Sequence, residues 1–91
     1  MGMGEGGSAM DRGIFSMGLS VEAVSLYILL CTLADQGRPV SRRNVTPAWN
    51  SSEASMAAAF SELEKHGVVR KILSDLAGND VYRIMDSGEW R

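Results

Sequence analysis

The residues that could take part in chemistry are few, and most of them are cations. Arg42 and Arg43 are adjacent, Arg70 and Lys71 are adjacent, and Arg83 stands alone. Side chains of this kind bind phosphate and other anions through charge-assisted hydrogen bonds. The sequence contains no nucleophile paired with a base, no phosphate-binding loop and no cluster of metal ligands. We therefore predict a binding protein that is not an enzyme and that needs neither a metal nor another cofactor.

The single cysteine and the single histidine are also predicted to be structural. Cys31 has no second cysteine to form an internal disulfide, and with His66 alone it is too small a ligand set for a structural zinc site. Cys31 falls on an apolar helix face, which predicts a buried and unreactive thiol. His66 falls at the end of a predicted helix, where a cation is favourable, so we expect it to cap that helix.

Composition and charge predict a single domain without specifying its partner. The chain has 91 residues, of which 45% are hydrophobic and 22% charged, as in ordinary globular proteins. Its formal charge of −2 differs from the basic balance that is typical of nucleic-acid-binding proteins. Residues 1–12 are rich in glycine and have no apolar pattern, so we predict a flexible tail there and one folded domain over residues 13–91.

No segment of the sequence predicts export or a membrane span. The sequence has no apolar run of about 18 residues, the length that a membrane-spanning helix needs. Its first residues lack the charged and apolar regions of a signal peptide. We therefore expect a cytoplasmic protein with no membrane partner, and no site for a small molecule is evident from the residues.

Cap residues and apolar spacing predict the first two helices. Ser20 is a suitable N-cap for a helix over residues 21–36, which would end at Gly37. Ser41 is a suitable N-cap for a second helix. Pro47 removes a helical hydrogen bond and clashes one turn back, so this helix must be short or tighten into a 3₁₀ turn.

The second half of the chain predicts a turn, a third helix and a hairpin. Asn50 is expected in the left-handed conformation, which asparagine tolerates better than other non-glycine residues. A third helix is predicted over residues 53–66, with Ser52 as its N-cap. Two β-rich runs, at residues 68–73 and 81–85, flank a turn near residues 77–80 and predict a hairpin. The predicted core joins Val24, Tyr27, Leu30, Met56, Phe60 and Leu63.

This order of elements resembles the winged helix-turn-helix superfamily over roughly residues 19–86. The resemblance includes the phrase Leu63-Glu64-Lys65-His66-Gly67, which ends the recognition helix in that family. The start of the predicted first helix is similar to small bacterial and phage regulators and replication-initiator domains. The implied fold is mainly α with a small β-hairpin wing, a three-helix core with a two- or three-stranded sheet. The other matching residues are Val45, Trp49, Asn50, Ser52, Met56, Phe60 and Val68–Arg70.

The resemblance implies a small transcriptional regulator that binds duplex DNA. Its third helix would enter the major groove, and cations of helix two and the wing would contact phosphates. That helix offers one lysine and otherwise mostly small residues, whereas base readout relies on Arg, Lys, Asn and Gln. The alternative is therefore a winged helix that binds another protein without sequence-specific DNA binding. The residues expected at DNA are Arg42, Arg43, Ser52, Ala54, Ser55, Ala58, Ser61, Lys65, Arg70, Lys71 and Arg83.

The first predicted helix is apolar on nearly every side and needs a second cover. Either the segment of residues 14–19 folds back over it, or a second copy of the chain covers it. We predict a homodimer, since a two-fold pair also reads two DNA half-sites. The expected interface residues are Ile14, Phe15, Ile28, Leu29, Leu33 and Trp90.

Overall fold

The computed structural model describes residues 10–74 and 79–91. The described chain is mainly helical, with a small two-stranded antiparallel sheet. Near the start of the described chain, the Asp11 side chain caps a 3₁₀ turn over Arg12–Ser16. The predicted tail of residues 1–12 lies mostly outside the described residues. The helices are α1 (Val21–Asp35), α2 (Arg42–Val45) and α3 (Glu53–Lys65), and the strands are β1 (Val69–Leu73) and β2 (Val81–Ile84).

The three predicted N-caps are confirmed. The hydroxyl groups of Ser20, Ser41 and Ser52 each accept a hydrogen bond from the backbone N–H three residues further on, at 3.1, 3.2 and 3.1 Å. Each bond satisfies one of the amides that a helix start leaves unpaired. Gly37 and Gly67 follow α1 and α3 with φ of 71° and 72°, the left-handed conformation that ends many helices. Local sequence therefore sets where each helix begins and ends.

The effect of Pro47 is confirmed, but the prediction for Asn50 is wrong. α2 has 4 residues and passes directly into a 3₁₀ turn over Thr46–Ala48. Among the described residues, only glycines have a positive φ, so Asn50 is not left-handed. Trp49 is instead extended, with φ −85° and ψ 123°. After the 3₁₀ turn the chain passes through extended Trp49 to a bend at Ser51, and a left-handed residue is not needed.

The core lies between α1, α3 and the inner face of the hairpin. Of the six residues predicted to share it, five are buried, and the prediction is wrong for Val24, which is half-buried and lies outside this core. Phe60 of α3 stacks on Tyr82 of β2 with ring centroids 4.4 Å apart, so the same core extends from the helices into the sheet. The other buried apolar residues are Ile14, Ala23, Leu26, Cys31, Leu33, Val45, Ala59, Val68 and Val69.

The segment before α1 folds back over it. Ile14 is 0% exposed and Leu33 is 6% exposed within the chain's own core. Trp90 is half-buried, and its ring meets Tyr27 edge-on with centroids 5.7 Å apart. Ile14 and Leu33, both expected at a dimer interface, therefore have almost no surface to offer a partner. Phe15, by contrast, is 58% exposed.

β1 and β2 pair in an antiparallel hairpin, and a bulge near residue 72 interrupts the pairing. The strands match the predicted runs to within one residue, and the predicted turn falls partly outside the described residues. Val40 and Ser41, which directly precede α2, lie along the other side of β2. There the Tyr82 amide donates to the Val40 carbonyl at 2.7 Å, and Ser41 forms an isolated bridge with Val81. The sheet is thereby tied to the start of α2.

Two glycines with the same backbone conformation allow a test of the C-terminal packing. A Cβ atom on Gly67 would lie 2.7 Å from the carbonyl oxygen of Glu89, whereas one on Gly37 would meet nothing within 4 Å. We expect Gly37→Ala to lower the free energy of unfolding by about 1 kcal/mol, from left-handed strain alone. Gly67→Ala should cost about 1–3 kcal/mol more, because the segment at Glu89 must move. Urea denaturation measures both, and equal losses would contradict this packing.

Candidate nucleic-acid interface

The outward side of α3 is small and nearly uncharged. Its inward side buries Met56, Ala59, Phe60 and Leu63, which leaves the opposite side of the helix to solvent. No element of the described chain covers that side. The predicted contact residues that are exposed along it are Ala54, Ala58, Ser61 and Lys65.

Two of the serines predicted to contact DNA form hydrogen bonds within the turn before α3. The Ser52 hydroxyl accepts from the Ser55 amide at 3.1 Å, and the Ser55 hydroxyl donates to the Ser52 carbonyl at 2.8 Å. The Trp49 indole N–H lies 3.1 Å from that carbonyl and 3.0 Å from the Ser55 hydroxyl. These bonds fix how α3 leaves the turn. Both hydroxyl groups therefore have an intramolecular role whether or not a ligand is bound.

Glu62 connects α3 to the start of α1. Its carboxylate accepts from the Ser20 amide at 2.8 Å and from the Ser20 hydroxyl at 2.6 Å. These two hydrogen bonds hold the pKa of Glu62 below its usual value of 4.5. The carboxylate also lies at a helix N-terminus, where a negative charge is favourable. No local pattern in the sequence indicates this contact, because Glu62 and Ser20 are 42 positions apart.

Asp80 forms ion pairs with two of the cations that are predicted to contact DNA. It is 8% exposed, and its Oδ1 accepts from the Ser74 hydroxyl at 2.7 Å. Its Oδ2 lies 3.4 Å from Lys71 Nζ and 4.0 Å from Arg42 Nη2. The Ser74 hydrogen bond, with the two cations, holds the pKa of Asp80 below its usual value of 3.8 despite burial. The sequence identified Asp80 only as a turn residue.

Arg42 is also held by the aromatic core. Its guanidinium carbon lies 5.4 Å from the centroid of the Phe60 ring, within the range of a cation–π interaction. Among the residues that the structure describes, its Nε and the Tyr82 hydroxyl are buried and have no hydrogen-bond partner. The Arg42 backbone amide donates to the Asp80 carbonyl at 3.0 Å. Arg42 is therefore integrated into the fold by three separate interactions.

The remaining predicted cations are exposed and unpaired. Arg43, Lys65, Arg70 and Arg83 are exposed, and none of them forms an ion pair within residues 10–74 and 79–91. Arg70 and Arg83 stand directly opposite each other in the hairpin. Like charges at such positions repel each other. An anion that both guanidinium groups contact would relieve this repulsion, so the pair favours a negatively charged ligand.

Cys31 and His66 lie where the sequence predicts. Cys31 is 2% exposed, and burial raises the pKa of its thiol to about 11, which makes it a poor nucleophile at neutral pH. His66 is the C-cap of α3, and its Nδ1 lies 2.6 Å from the main-chain oxygen of Arg91. Within the described residues, no three histidine, cysteine, aspartate or glutamate side chains are grouped as metal ligands would be.

A shallow groove of about 370 Å³ runs beside α1. On the α1 side it is lined by Val21, Ile28 and Leu29, and on the other side by Ala48 and Trp49. Val21 is 78% exposed and Ile28 is 39% exposed. Glu22 and Ser25 of α1 also line the groove, so the outward side of this helix is mixed, and Val21, Ile28 and Leu29 form its apolar part.

Comparison with known proteins supplies no relative for this chain. No protein-family model matches it, and neither a curated protein nor a solved structure matches it at a significant level. Among the described residues, no helix combines the length and apolar character needed to cross a membrane.

The Glu62–Ser20 contact predicts a pH-dependent contribution to stability. We expect Glu62→Gln to lower the free energy of unfolding by about 1 kcal/mol at pH 7. Because the folded-state pKa of Glu62 is lowered, this stabilisation is present above pH 4.5 and is lost as the pH falls through the folded-state pKa. Urea denaturation at pH 7 and in acid measures the difference.

The matched control is Glu64→Gln, since Glu64 is half-buried on the same helix and forms no side-chain hydrogen bond or ion pair in the described chain. It should change the free energy of unfolding little. A Glu62→Gln defect that is the same size in acid as at pH 7 would show that the carboxylate charge has no role.

Proposed function

We propose that this chain is a winged helix-turn-helix domain that binds duplex DNA, and that it acts as a small transcriptional regulator. One observation carries the proposal. In the described part of the chain, α2, a tight turn and α3 are followed by a hairpin whose two arginines are exposed and form no ion pair, and no element covers the outward side of α3. This is the arrangement in which helix-turn-helix proteins place a helix in the major groove and a wing beside it.

The small side chains of α3 suit close approach to DNA. Alanine methyl groups at Ala54 and Ala58 can contact thymine methyl groups, and Ser61 can contact either bases or phosphates. Lys65 adds one cation near the end of the helix. Most of the affinity would then come from phosphate contacts by Arg43, Lys65 and the wing, and such contacts position a protein without reading sequence. We therefore expect binding of modest affinity and modest sequence preference.

The salt dependence of binding tests the role of the wing. Each phosphate contact contributes about −0.9 to the slope of log K against log salt. Four unpaired cations therefore predict a slope no steeper than about −4. The double variant Arg70→Ala/Arg83→Ala should reduce that slope by about 2 and weaken binding to all duplexes alike. Fluorescence anisotropy with a labelled random duplex, titrated from 50 mM salt upwards, measures both quantities.

The control for this variant is Arg12→Ala/Arg38→Ala. Both arginines are exposed, neither forms an ion pair in the described chain, and neither is expected at DNA. The control removes the same charge, so it should leave the slope nearly unchanged. Equal effects of the two double variants would show that only net charge matters and that the wing is not a contact surface.

A second function is supported by a different observation. The outward side of α3 has a single cation, and Asp80 pairs with two of the other cations near the sheet. Both features suit a winged helix that packs its small-residue face against another protein. If the wild-type protein binds no duplex at 50 mM salt, the DNA-binding proposal fails and this second function is favoured.

We also propose that two copies pair through the outward side of α1. Ile28 and Leu29 remain available there, beside the groove that Val21 and Trp49 line, and Phe15 is exposed on the segment that precedes α1. An exposed apolar patch of this kind usually marks an interaction site. A dimer would let two α3 helices contact two half-sites and so compensate for the weak readout of one.

Sedimentation equilibrium at tens of micromolar tests the dimer, with an expected mass of twice 9.8 kDa. Ile28→Glu should give a folded monomer, because Ile28 is 39% exposed and its replacement leaves the core intact. Ile72→Glu places the same charge on another exposed isoleucine, at 55% exposure on the hairpin, and should remain dimeric. A wild-type protein that sediments as a monomer would refute the pairing.

A further inference from the structure

We infer that Asp80 is an internal substitute for a DNA phosphate, which holds Arg42 and Lys71 and thereby keeps the affinity for DNA below the level that the cations of this chain permit. This inference rests on the DNA binding proposed above. It assigns a role to a carboxylate that belongs to neither the core nor the expected contact surface. The role is regulatory in the sense that one acidic side chain sets the strength of binding.

The donors around Asp80 are those that a phosphate group accepts. Oδ1 accepts from a hydroxyl group, that of Ser74, and Oδ2 lies within 4.0 Å of an ammonium and of a guanidinium group. Lysine, arginine and serine hydroxyl groups are also the usual partners of DNA phosphate oxygens. The Asp80 carboxylate thus satisfies donors that would otherwise be free for an external anion.

Asp80 is less exposed than the two cations with which it pairs, so a DNA phosphate would have to compete with Asp80 for them. Asp80 has a side chain that is 11% exposed, whereas Arg42 and Lys71 have side chains that are 30% and 40% exposed. The cations therefore remain within reach of an approaching phosphate while the carboxylate stays behind them. Any phosphate contact by either cation competes with an ion pair that is already formed. Two cations and one carboxylate offer DNA a net charge of one instead of two.

The positions of the two cations make the competition relevant to DNA. Arg42 is the first residue of α2, and Lys71 lies in β1 of the hairpin. Asp80 joins them, because its backbone carbonyl also accepts from the Arg42 amide at 3.0 Å. The start of helix two and the wing are the two places from which the proposed DNA-binding domain would contact phosphates. Asp80 lies between these two groups of potential contacts.

The variant Asp80→Asn tests the inference with little change of shape. The asparagine Oδ1 can still accept from Ser74, while the negative charge is removed. We expect affinity for a random duplex to rise several-fold at 50 mM salt. The slope of log K against log salt should steepen by about 0.9 for each phosphate gained, up to about 2 for both cations. Thermal unfolding of each variant checks that it is folded.

The charge-matched control is Asp86→Asn. Asp86 is exposed and forms no ion pair in the described chain, so its removal changes net charge by the same amount without releasing a cation. Its gain in log K should be less than half of that of Asp80→Asn. Equal gains from the two variants would overturn the inference, because net charge alone would then explain them.

A second comparison decides the question even if Asp80→Asn fails to fold. Arg42→Ala/Lys71→Ala in the wild-type background should weaken binding far less than Arg70→Ala/Arg83→Ala, because its cations are already held. In the Asp80→Asn background, the same two alanines should remove the whole gain. A wild-type loss as large as that of the wing variant would overturn the inference. Absence of any duplex binding by the wild type would instead refute the proposed function, and the inference with it.

Discussion

The ring of Phe60 is the contact on which the arrangement of the other elements depends. It is fully buried on the inward side of α3, it stacks on Tyr82 of β2 at 4.4 Å, and the Arg42 guanidinium group lies 5.4 Å above it. One side chain thus connects the third helix, the hairpin and the start of α2. A chain of this size has a single small core, so few other side chains can join these elements.

This contact has an electrostatic consequence. Once Arg42 lies over Phe60, its charge is within reach of Asp80, and Asp80 draws in Lys71 from the neighbouring strand. Partly buried pairs are screened by solvent less than exposed ones. The six cations predicted to contact DNA therefore divide into two groups. Arg42 and Lys71 stabilise the junction of α2 and the hairpin, and Arg43, Lys65, Arg70 and Arg83 remain for a ligand. The surface available to the proposed DNA ligand is smaller than a count of these six cations indicates.

Local interactions explain which parts of the fold could be predicted. Ser20, Ser41 and Ser52 cap their helices through bonds three residues long, and Pro47 shortens α2 through its missing amide. Such effects depend only on neighbours in the sequence. The prediction failed at Asn50, where the turn has an alternative backbone solution in extended Trp49. Where the local sequence allows more than one turn conformation, the packing of the elements on both sides of the turn decides which one forms.

The sequence by itself determined the number, order and ends of the helices and strands, since caps, glycines and apolar periodicity act within a few residues. It also determined much of the helical core, in which Tyr27, Leu30, Met56, Phe60 and Leu63 are buried. Only the tertiary structure decided the use of each charge. Asp80 meets Arg42 across 38 positions of the chain, and Glu62 meets Ser20 across 42. The pairing of surface charges depends on distances between elements, and those distances exist only after the core has closed.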